Sequence, residues 1–549
     1  MTTVPAISIY NTRTRGKQQL RPIRAGEIGM YVCGPTVYDD CHIGHLMGPA
    51  LFDAVARWLR ARGYRVRFVN NITDIDDKII ARSLATGEPW QAITARYTAQ
   101  YLGYLRRLHV TTVTDHPRCS DYIAQMITYI ADLIASGRAY QAGDGVYYDV
   151  QRQSGYGKLS GRRIDDMLAG VRVERSESLR HPADFALWKL AKPQEPSWPS
   201  PWGDGRPGWH IECSVMSHET LGASFDIHGG GDDLKFPHHE NEIAQGEAHG
   251  GDYAHCWMHN GLIQYEGVKV GKSDPRMRDP AFARQFKADY LLDTYGASTV
   301  RFLLLQGHYR RPNDFAPSAL TAARTALGKL HRLLGELLDQ QASPGTDTVE
   351  GLLLSAHGEE LPEAMREPLS KFIAEMDDDF NTGGAIAALF KLAEVCRKLL
   401  IQATPDSQRA ALKGRALIRD LGRLIGLFQP GDGRDTASDA SAGSAALAEA
   451  MALVIEQRQE ARSDRRFADA DRIRDALNAA KIVVKDAKDG ASWTLGGPPE
   501  AAIEAVTGLL GDVHRQAVAQ GRQESARRIA AALHQLGAEG AASPAVPSP

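Results

Sequence analysis

The stretch YVCGPTVYDDCHIGH, Tyr31 to His45, sets two histidines three residues apart behind a Gly-Pro turn and a cysteine. Upstream, IGMYVC (28–33) is short and apolar and reads as a buried strand, and Gly34-Pro35 turns the chain. Downstream, from about Ile43 to Arg62, Leu51, Val55 and Leu59 recur on one helical line with Phe52 beside it, and Gly63 supplies the stop. YRVRFVNNITDID then alternates Val66 and Phe68 like a strand leaving that helix. Strand, helix and strand within about 40 residues make a parallel crossover, so the sequence predicts an α/β fold built on a Rossmann-like, doubly wound parallel sheet. His42 and His45 fall in the first helical turn, where unpaired N–H groups and the positive dipole end favour an anion. Two imidazole donors there suit a triphosphate and the charge it develops in a transition state. The plainer alternative is that one histidine caps the helix and the other is buried or solvated.

The chain of 549 residues is too long for one core, and about three to five packed units are expected. Its 43% hydrophobic and 24% charged residues and mean hydropathy of -0.33 fit a globular chain in water, and no apolar run of 18 residues is present to span a bilayer. The N-terminal MTTVPAISIYNTRTRG has no apolar core or small-residue cleavage site, so no secretory signal is read and a cytoplasmic protein is expected. Cys33, Cys41, Cys119, Cys213, Cys256 and Cys396 are too scattered for a disulfide framework and read as reduced thiols or metal ligands. A net charge of -3 favours no partner class, so nucleic-acid contacts would come from local basic patches.

The pattern divides the chain into a first half of the catalytic sheet at 20–114, an inserted module at 115–204 and a second half at 205–315. The insert holds a helix near 120–136 and the proline-rich KPQEPSWPSPWGDGRPGW, and SFDIHGGGDDLKFPHHENEIAQ restores a strand, a glycine turn and a helix. A helical bundle at 316–428, a polar linker at 429–444, a small mixed unit at 445–498, and a helical stretch with a disordered tail at 499–549 complete it.

In PHHENE, His238 and Glu242 stand four apart on a helix beginning after Pro237 and share a face. Cys213 lies in WHIECS, and Cys33 ends the first strand; a parallel sheet that gathers strand ends at its carboxyl edge can bring all four together. Thiolates, imidazole and carboxylate suit Zn(II). The residues alone leave open a substrate-binding zinc, a structural zinc or no convergence at all.

Five blocks in order, YVCGPTVYDDCHIGH, NITDIDDKI, WPSPWGDGRPGWHIECS, FDIHGGGDDLKFPHHENEIAQ and MDDDFNT, resemble the cysteinyl-tRNA synthetase family of class I aminoacyl-tRNA synthetases over about residues 20–495. The resemblance implies a monomeric enzyme that activates L-cysteine with Mg-ATP and charges tRNA(Cys), with one Zn(2+) per subunit recognising the substrate thiol. It carries the zinc ligands onto Cys33, Cys213, His238 and Glu242, and the walls of the cysteine pocket onto Thr73, Trp209 and His228. ATP falls to Gly34, Thr36, His42, His45, Gly229, Gly231, Asp233 and Lys272, and catalysis to His42, His45, Lys269 and Lys272. The second signature, normally Lys-Met-Ser-Lys-Ser, stands here as KVGKS (269–273), followed by the longer DPRMRDPAFARQFKAD. Gly271 would loosen that loop, and Asp274 beside Lys272 would compete for its charge.

Two basic clusters are candidates for an RNA backbone: Arg57, Arg60, Arg62, Arg65 and Arg67, and Arg458, Arg462, Arg465, Arg466, Arg472 and Arg474. Such runs are commonly solvated helix faces. The second lies where the chain resembles the family's anticodon-binding unit, so Arg462, Arg466 and Trp493 are the expected tRNA contacts. Two other readings remain: a ligase joining cysteine to an amino sugar, whose relatives lack the anticodon unit, and a non-catalytic RNA- or zinc-binding paralogue, which the altered KVGKS favours.

Overall fold

The computed structural model describes residues 6–163, 179–269, 274–341, 347–351, 361–430, 432, 450–464, 466–479, 482–487, 490–495, 499–519, 522–523, 527–530 and 533. Most of the expected linker, the tail from 534, and Val270, Gly271, Lys272 and Ser273 lie outside them. The chain divides into two units, Met1–Asp432 and Gly433–Pro549.

In the first unit a hairpin of β1 (Ser8–Asn11) and β2 (Gly16–Gln19) precedes β3 (Glu27–Val32), which leads through α1 (Ile43–Ala61) to β4 (Arg65–Asn70). After α2 (Asp77–Thr86), α3 (Trp90–Arg107) and α4 (Ile123–Ala135) comes an antiparallel sheet of β5 (Ala139–Ala142), β6 (Gly145–Tyr148), β7 (Phe185–Leu190) and β8 (Gly205–Pro207), in that order. Then α5 (Trp209–Leu221), β9 (Ser224–Gly231), α6 (His238–Ala248) and β10 (Tyr253–Asn260) return the chain to the main sheet. That sheet is parallel in the order β10-β9-β3-β4, and Met30, Tyr31 and Val32 register with Ile227, His228 and Gly229, joining the halves that the insertion separates.

Side-chain alternation along β3 explains the two layers. Met30 and Val32 enter a core with Leu51, Phe52, Val55 and Leu59 of α1, while Tyr31 enters a second core with Ile211, Phe225 and Trp257. The first core runs on without a break into the helices Glu363–Asp377, Thr382–Gln402 and Pro405–Arg423 through Phe372, Leu389 and Leu421. The bundle therefore shares its interior with the catalytic sheet.

Two expectations are corrected. The glycine run after His228 is extended strand rather than a turn, because Gly229, Gly230 and Gly231 pair with Met258, His259 and Asn260, and the chain turns afterwards in the 3-10 helix Asp232–Lys235. The inserted sheet also continues past residue 204, because Gly205 and Gly208 let the backbone approach β7 where a Cβ would lie 2.4 Å from Lys189 O and 2.0 Å from Ala186 O.

The second unit packs a helix at 450–463, the helix Phe467–Ala479, the antiparallel hairpin β14 (Ile482–Ala487) and β15 (Gly490–Leu495), and the helix Pro499–Ala519. Val454, Ile473, Leu477, Ile482, Val506 and Leu510 are buried together, so the helical extension belongs to the same core as the hairpin.

Candidate active site and metal centre

Because every strand of the main sheet runs the same way, Val32, Asn70, Gly231 and Asn260 end at one edge, and the residues after them face a common cleft. Asn70 Nδ2 donates to Val32 O at 3.0 Å, and Gly34 N donates to Asn71 Oδ1 at 2.8 Å, which fixes the chain around Cys33. A Cβ on Gly34 would lie 1.6 Å from Asn71 O, so this approach requires glycine. A cavity of about 450 Å³ opens there, lined by Cys33, Gly34, Thr36, His42, His45, Thr73, Trp209, Cys213, Gly230, Gly231, Asp233 and His238 among others.

His42 is the N-cap of α1. Gly44 N donates to His42 Nδ1 at 3.1 Å, and His42 N donates to His45 Nδ1 at 3.1 Å, a reciprocal capping box built from two histidines. The rings stack with centroids 3.9 Å apart. With both Nδ1 atoms accepting from amides, each neutral ring carries its proton on Nε2, as a donor for an anion at the helix start. The capping and anion-binding readings of this pair are therefore compatible.

Ligand atoms of Cys33, Cys213, His238 and Glu242 all lie within 4.8 Å of one another, and Cys33, Cys213 and His238 line the cavity. The two Sγ atoms are 3.7 Å apart, close to the edge of about 3.8 Å that a tetrahedron with Zn–S bonds of about 2.3 Å requires. His238 Nε2 and Glu242 Oε1 are 3.1 Å apart, near the corresponding edge of about 3.3 Å for nitrogen and oxygen ligands. The donor set fits zinc. A second set, Cys33, His228, His239 and Glu242, meets the same limit, but His228 and His239 are fully buried and do not line the cavity. The first set puts three of its members, Cys33, Cys213 and His238, on the cavity wall, and the second only Cys33.

The electrostatics suit a cation. Burial pushes the Cys33 thiol well above its ordinary range, while the hydrogen bond it donates pulls Cys213 below it. Burial works to raise the Glu242 carboxyl, but His228 and His238 outweigh it and hold the group below its usual range. Burial likewise works to lower His238, yet Glu242 and Cys213 outweigh it and raise the imidazole. Around them burial keeps His210, His239 and His259 neutral, well below the usual imidazole range.

The surrounding contacts were not legible in the sequence. Glu242 Oε2 lies 2.8 Å from His228 Nε2 and accepts from Tyr253 Oη at 2.8 Å, and His210 Nδ1 stands 3.0 Å from His238 Nδ1. Each leaves one atom of the ligand, Oε1 or Nε2, toward the centre. His239 Nε2 is 3.3 Å from Cys33 Sγ, and its Nδ1 is 2.8 Å from His259 Nε2. His239 is adjacent to His238 in PHHENE, but helical spacing singles out only the i, i+4 pair.

The expected cysteine pocket divides. Thr73 is buried beside Asn71, with Asn71 Nδ2 donating to its Oγ1 at 3.2 Å, and Trp209 is 40% exposed and stacks on His238 with centroids 4.3 Å apart. Both line the cavity, whereas His228 sits one layer behind it, stacked on Trp257 and bonded to Glu242. Gly229 does not line it either, because Phe52 fills the space where its Cβ would be, 2.3 Å away.

Lys269 falls in the two-residue strand β12 (Val268–Lys269), while Lys272 lies outside the described residues. Asp274 bonds Arg276 at 2.9 Å and caps the 3-10 helix Pro275–Arg278. In this continuation Arg276 lies over the Tyr265 and Phe282 rings. The first basic cluster is used internally: Arg57 bonds Asp53, Arg60 bonds Val66 O and Thr112 O, Arg62 bonds Asp377, Arg65 bonds Glu27, and Arg67 bonds Asp115. In the second unit Arg466 reaches Asp464 and Asp469 at 3.1 and 3.2 Å, Arg462 is exposed on the helix at 450–463, and Trp493 on β15 stands in register with Val484 on β14.

The family model for the tRNA synthetases class I (C) catalytic domain matches residues 19–325, that for the DALR domain 371–429, and that for the cysteinyl-tRNA ligase anticodon binding domain 444–493. Mycobacterium tuberculosis methionyl-tRNA synthetase bound by methionyl-adenylate shares the fold, with a TM-score of 0.51 at 14% identity over 76% of this chain and 94% of that one. Fold and cleft together are those of a class I aminoacyl-tRNA synthetase. The cysteine--tRNA ligases of Pseudomonas paraeruginosa and Laribacter hongkongensis are 44% and 43% identical to the chain, each over 89% of its length and 99% of theirs. The chain belongs to the cysteine--tRNA ligase family.

Proposed function

We propose that the chain activates L-cysteine with ATP to cysteinyl-adenylate and transfers the acyl group to the 3'-terminal adenosine of tRNA(Cys), working as a cytoplasmic monomer. The observation that carries this is the four-ligand cluster, whose Cys33, Cys213 and His238 line the same cavity as His42 and His45 at the start of α1. Cys33, Cys213, His238 and Glu242 would hold zinc, which when bound supplies a sulfur-preferring position that separates a thiol from a hydroxyl. Packing alone separates near-isosteres by only about 10- to 200-fold.

The residues of the chain do the remaining work by placement. Trp209 and Thr73 flank the substrate, and Gly230, Gly231 and Asp233 border the nucleotide side of the cavity. The cysteine carboxylate attacks the α-phosphate and pyrophosphate leaves, so no proton needs to be abstracted. His42 and His45, donating through Nε2, together with Lys269 and Lys272, follow the charge on the phosphates. An amino-sugar acceptor is disfavoured by the match to an anticodon binding domain at 444–493.

The test is cysteine-dependent ATP-pyrophosphate exchange, together with charging of tRNA(Cys) with cysteine against serine, before and after zinc removal. Exchange and charging that need zinc and reject serine are expected. Full charging by metal-free protein, or exchange without cysteine, would refute the reading.

A further inference from the structure

Lys269 follows a tight hairpin whose turn is held from outside the hairpin. Strands β11 (Ile263–Tyr265) and β12 pair antiparallel through only Gln264 with Lys269 and Tyr265 with Val268. The connecting residues, Glu266 and Gly267, have φ of 53° and 76°, the left-handed pair of a two-residue hairpin turn. A glutamate is an unfavourable occupant of that region, so the turn needs an external hold.

Asp314 supplies it. This residue lies on β13 (Asn313–Asp314), which runs parallel to β11 on the side away from β12. Its Oδ1 accepts from Glu266 N at 3.1 Å and from Ala316 N at 2.9 Å, and its Oδ2 accepts from Gly267 N at 2.8 Å. One carboxylate thus ties both turn amides to the start of the helix Pro317–Leu334. Apolar packing does little of this work at the turn itself, since Val268 is 55% exposed. With two ladder pairs and an exposed turn, the direction in which β12 leaves depends on these bonds.

We propose that Asp314 is a positioning residue for cysteine activation, aiming β12 so that Lys269 meets the phosphates of ATP. The proposal rests on the role given above to Lys269. It differs from that role in assigning the aim of the lysine to a carboxylate 45 positions further along the chain, which touches no substrate.

The experiment measures cysteine-dependent ATP-pyrophosphate exchange by full-length, zinc-loaded wild type, Asp314→Ala, Asp314→Asn, Lys269→Ala and the Asp314→Ala/Lys269→Ala double variant, with thermal melting of each. Asp314→Ala is expected to lower kcat by roughly 10- to 100-fold, since small misplacements of a charge-stabilising group act on the transition state, with KM for cysteine unchanged. Asp314→Asn, which keeps one acceptor oxygen but replaces the other by a donor, falls between. In the Lys269→Ala background the Asp314 change should cost less than about 2-fold, because the group it aims is gone. Wild-type kcat in Asp314→Ala overturns the proposal, and so do effects of the two changes that multiply in full. If Lys269→Ala is impaired and Asp314→Ala is not, the proposal alone fails. If Lys269→Ala is fully active or the wild type shows no exchange, the reading of the lysine or of the activity fails, and the proposal with it.

Discussion

Glu242 divides its two oxygens between different tasks. Oε2 accepts from Tyr253 Oη and meets His228, which leaves Oε1 at 3.1 Å from His238 Nε2 and 3.6 Å from Cys33 Sγ. Such outer contacts orient a ligand and tune its basicity, and their loss typically weakens metal binding by about 10- to 100-fold. Tyr253→Phe keeps the ring against Phe225 and removes only the hydroxyl, which also bonds Ser217. We therefore expect a variant that folds normally and releases zinc to a competing chelator about 10- to 100-fold more readily, measured by absorbance titration. Unchanged retention would mean that His228 alone orients the carboxylate. Cys213→Ser, which exchanges a soft ligand for a hard one, should bind zinc substoichiometrically by elemental analysis. Cys33, Cys213, His238 and Glu242 are nameable from the sequence because their residue types and family blocks are local. Tyr253 is not, because nothing in a strand pattern says that one of its aromatic side chains turns a hydroxyl toward a carboxylate on the preceding helix.

Helices join at Asp53. Its carboxylate, on α1, accepts from Arg57 Nε at 2.8 Å, Arg301 Nη2 at 2.6 Å, Thr112 Oγ1 at 2.7 Å and the amides of Thr111 and Thr112. Arg301, on the helix Ala297–Leu305, also donates to Leu108 O and to Ile425 O, just past the helix Pro405–Arg423. Burial works to raise the carboxyl, but Arg301 and Arg57 outweigh it and bring Asp53 down to about 2. The folded value lies below the unfolded value of about 3.9, so the stabilisation is present above about pH 4 and lost as pH falls toward about 2. Asp53→Asn, which leaves Arg301 buried without its counterion, should lower stability by about 3 to 5 kcal/mol at pH 7. Urea denaturation should show the gap to wild type narrowing below pH 4; a gap independent of pH would contradict this account. The sequence made α1 readable through Leu51, Val55 and Leu59, yet it left the arginines of α1 and β4 open between an RNA contact and a solvated face. Their partners Asp115 and Asp377 lie 48 and 315 positions away, beyond any local pattern. The same distance hid the use of MDDDFNT, where Asp377 bonds Trp58, Asp378 bonds Lys17, and Asp379 bonds Tyr10 N and Tyr309.

The distribution of cores decides which parts of the molecule can be removed. Phe372, Leu389 and Leu421 share one interior with Phe52 and Leu59, so removing the bundle would expose the back of the catalytic sheet. Residues after Asp432 form a separate unit with its own core of Val454, Ile473, Leu477, Val506 and Leu510. The sequence placed a linker and a mixed module here from composition, but it treated the residues beyond 498 as an appendage, because an amphipathic helix does not declare what it covers. Val506 and Leu510 share a core with Val454 of the helix at 450–463, Ile473 of Phe467–Ala479 and Ile482 of β14, so removing 499–549 opens the core that supports the β14–β15 hairpin. Deleting 445–549 should therefore leave cysteine-dependent pyrophosphate exchange within about 2-fold of wild type, since the second unit has a core of its own, while charging of tRNA(Cys) collapses. Deleting only 499–549 should damage charging as severely, through unfolding of the second unit, which is visible as a lost melting transition. Retained charging by the shorter deletion would show that the hairpin stands without its covering helix, and equal loss of exchange and charging by the longer one would show that activation itself depends on the second unit.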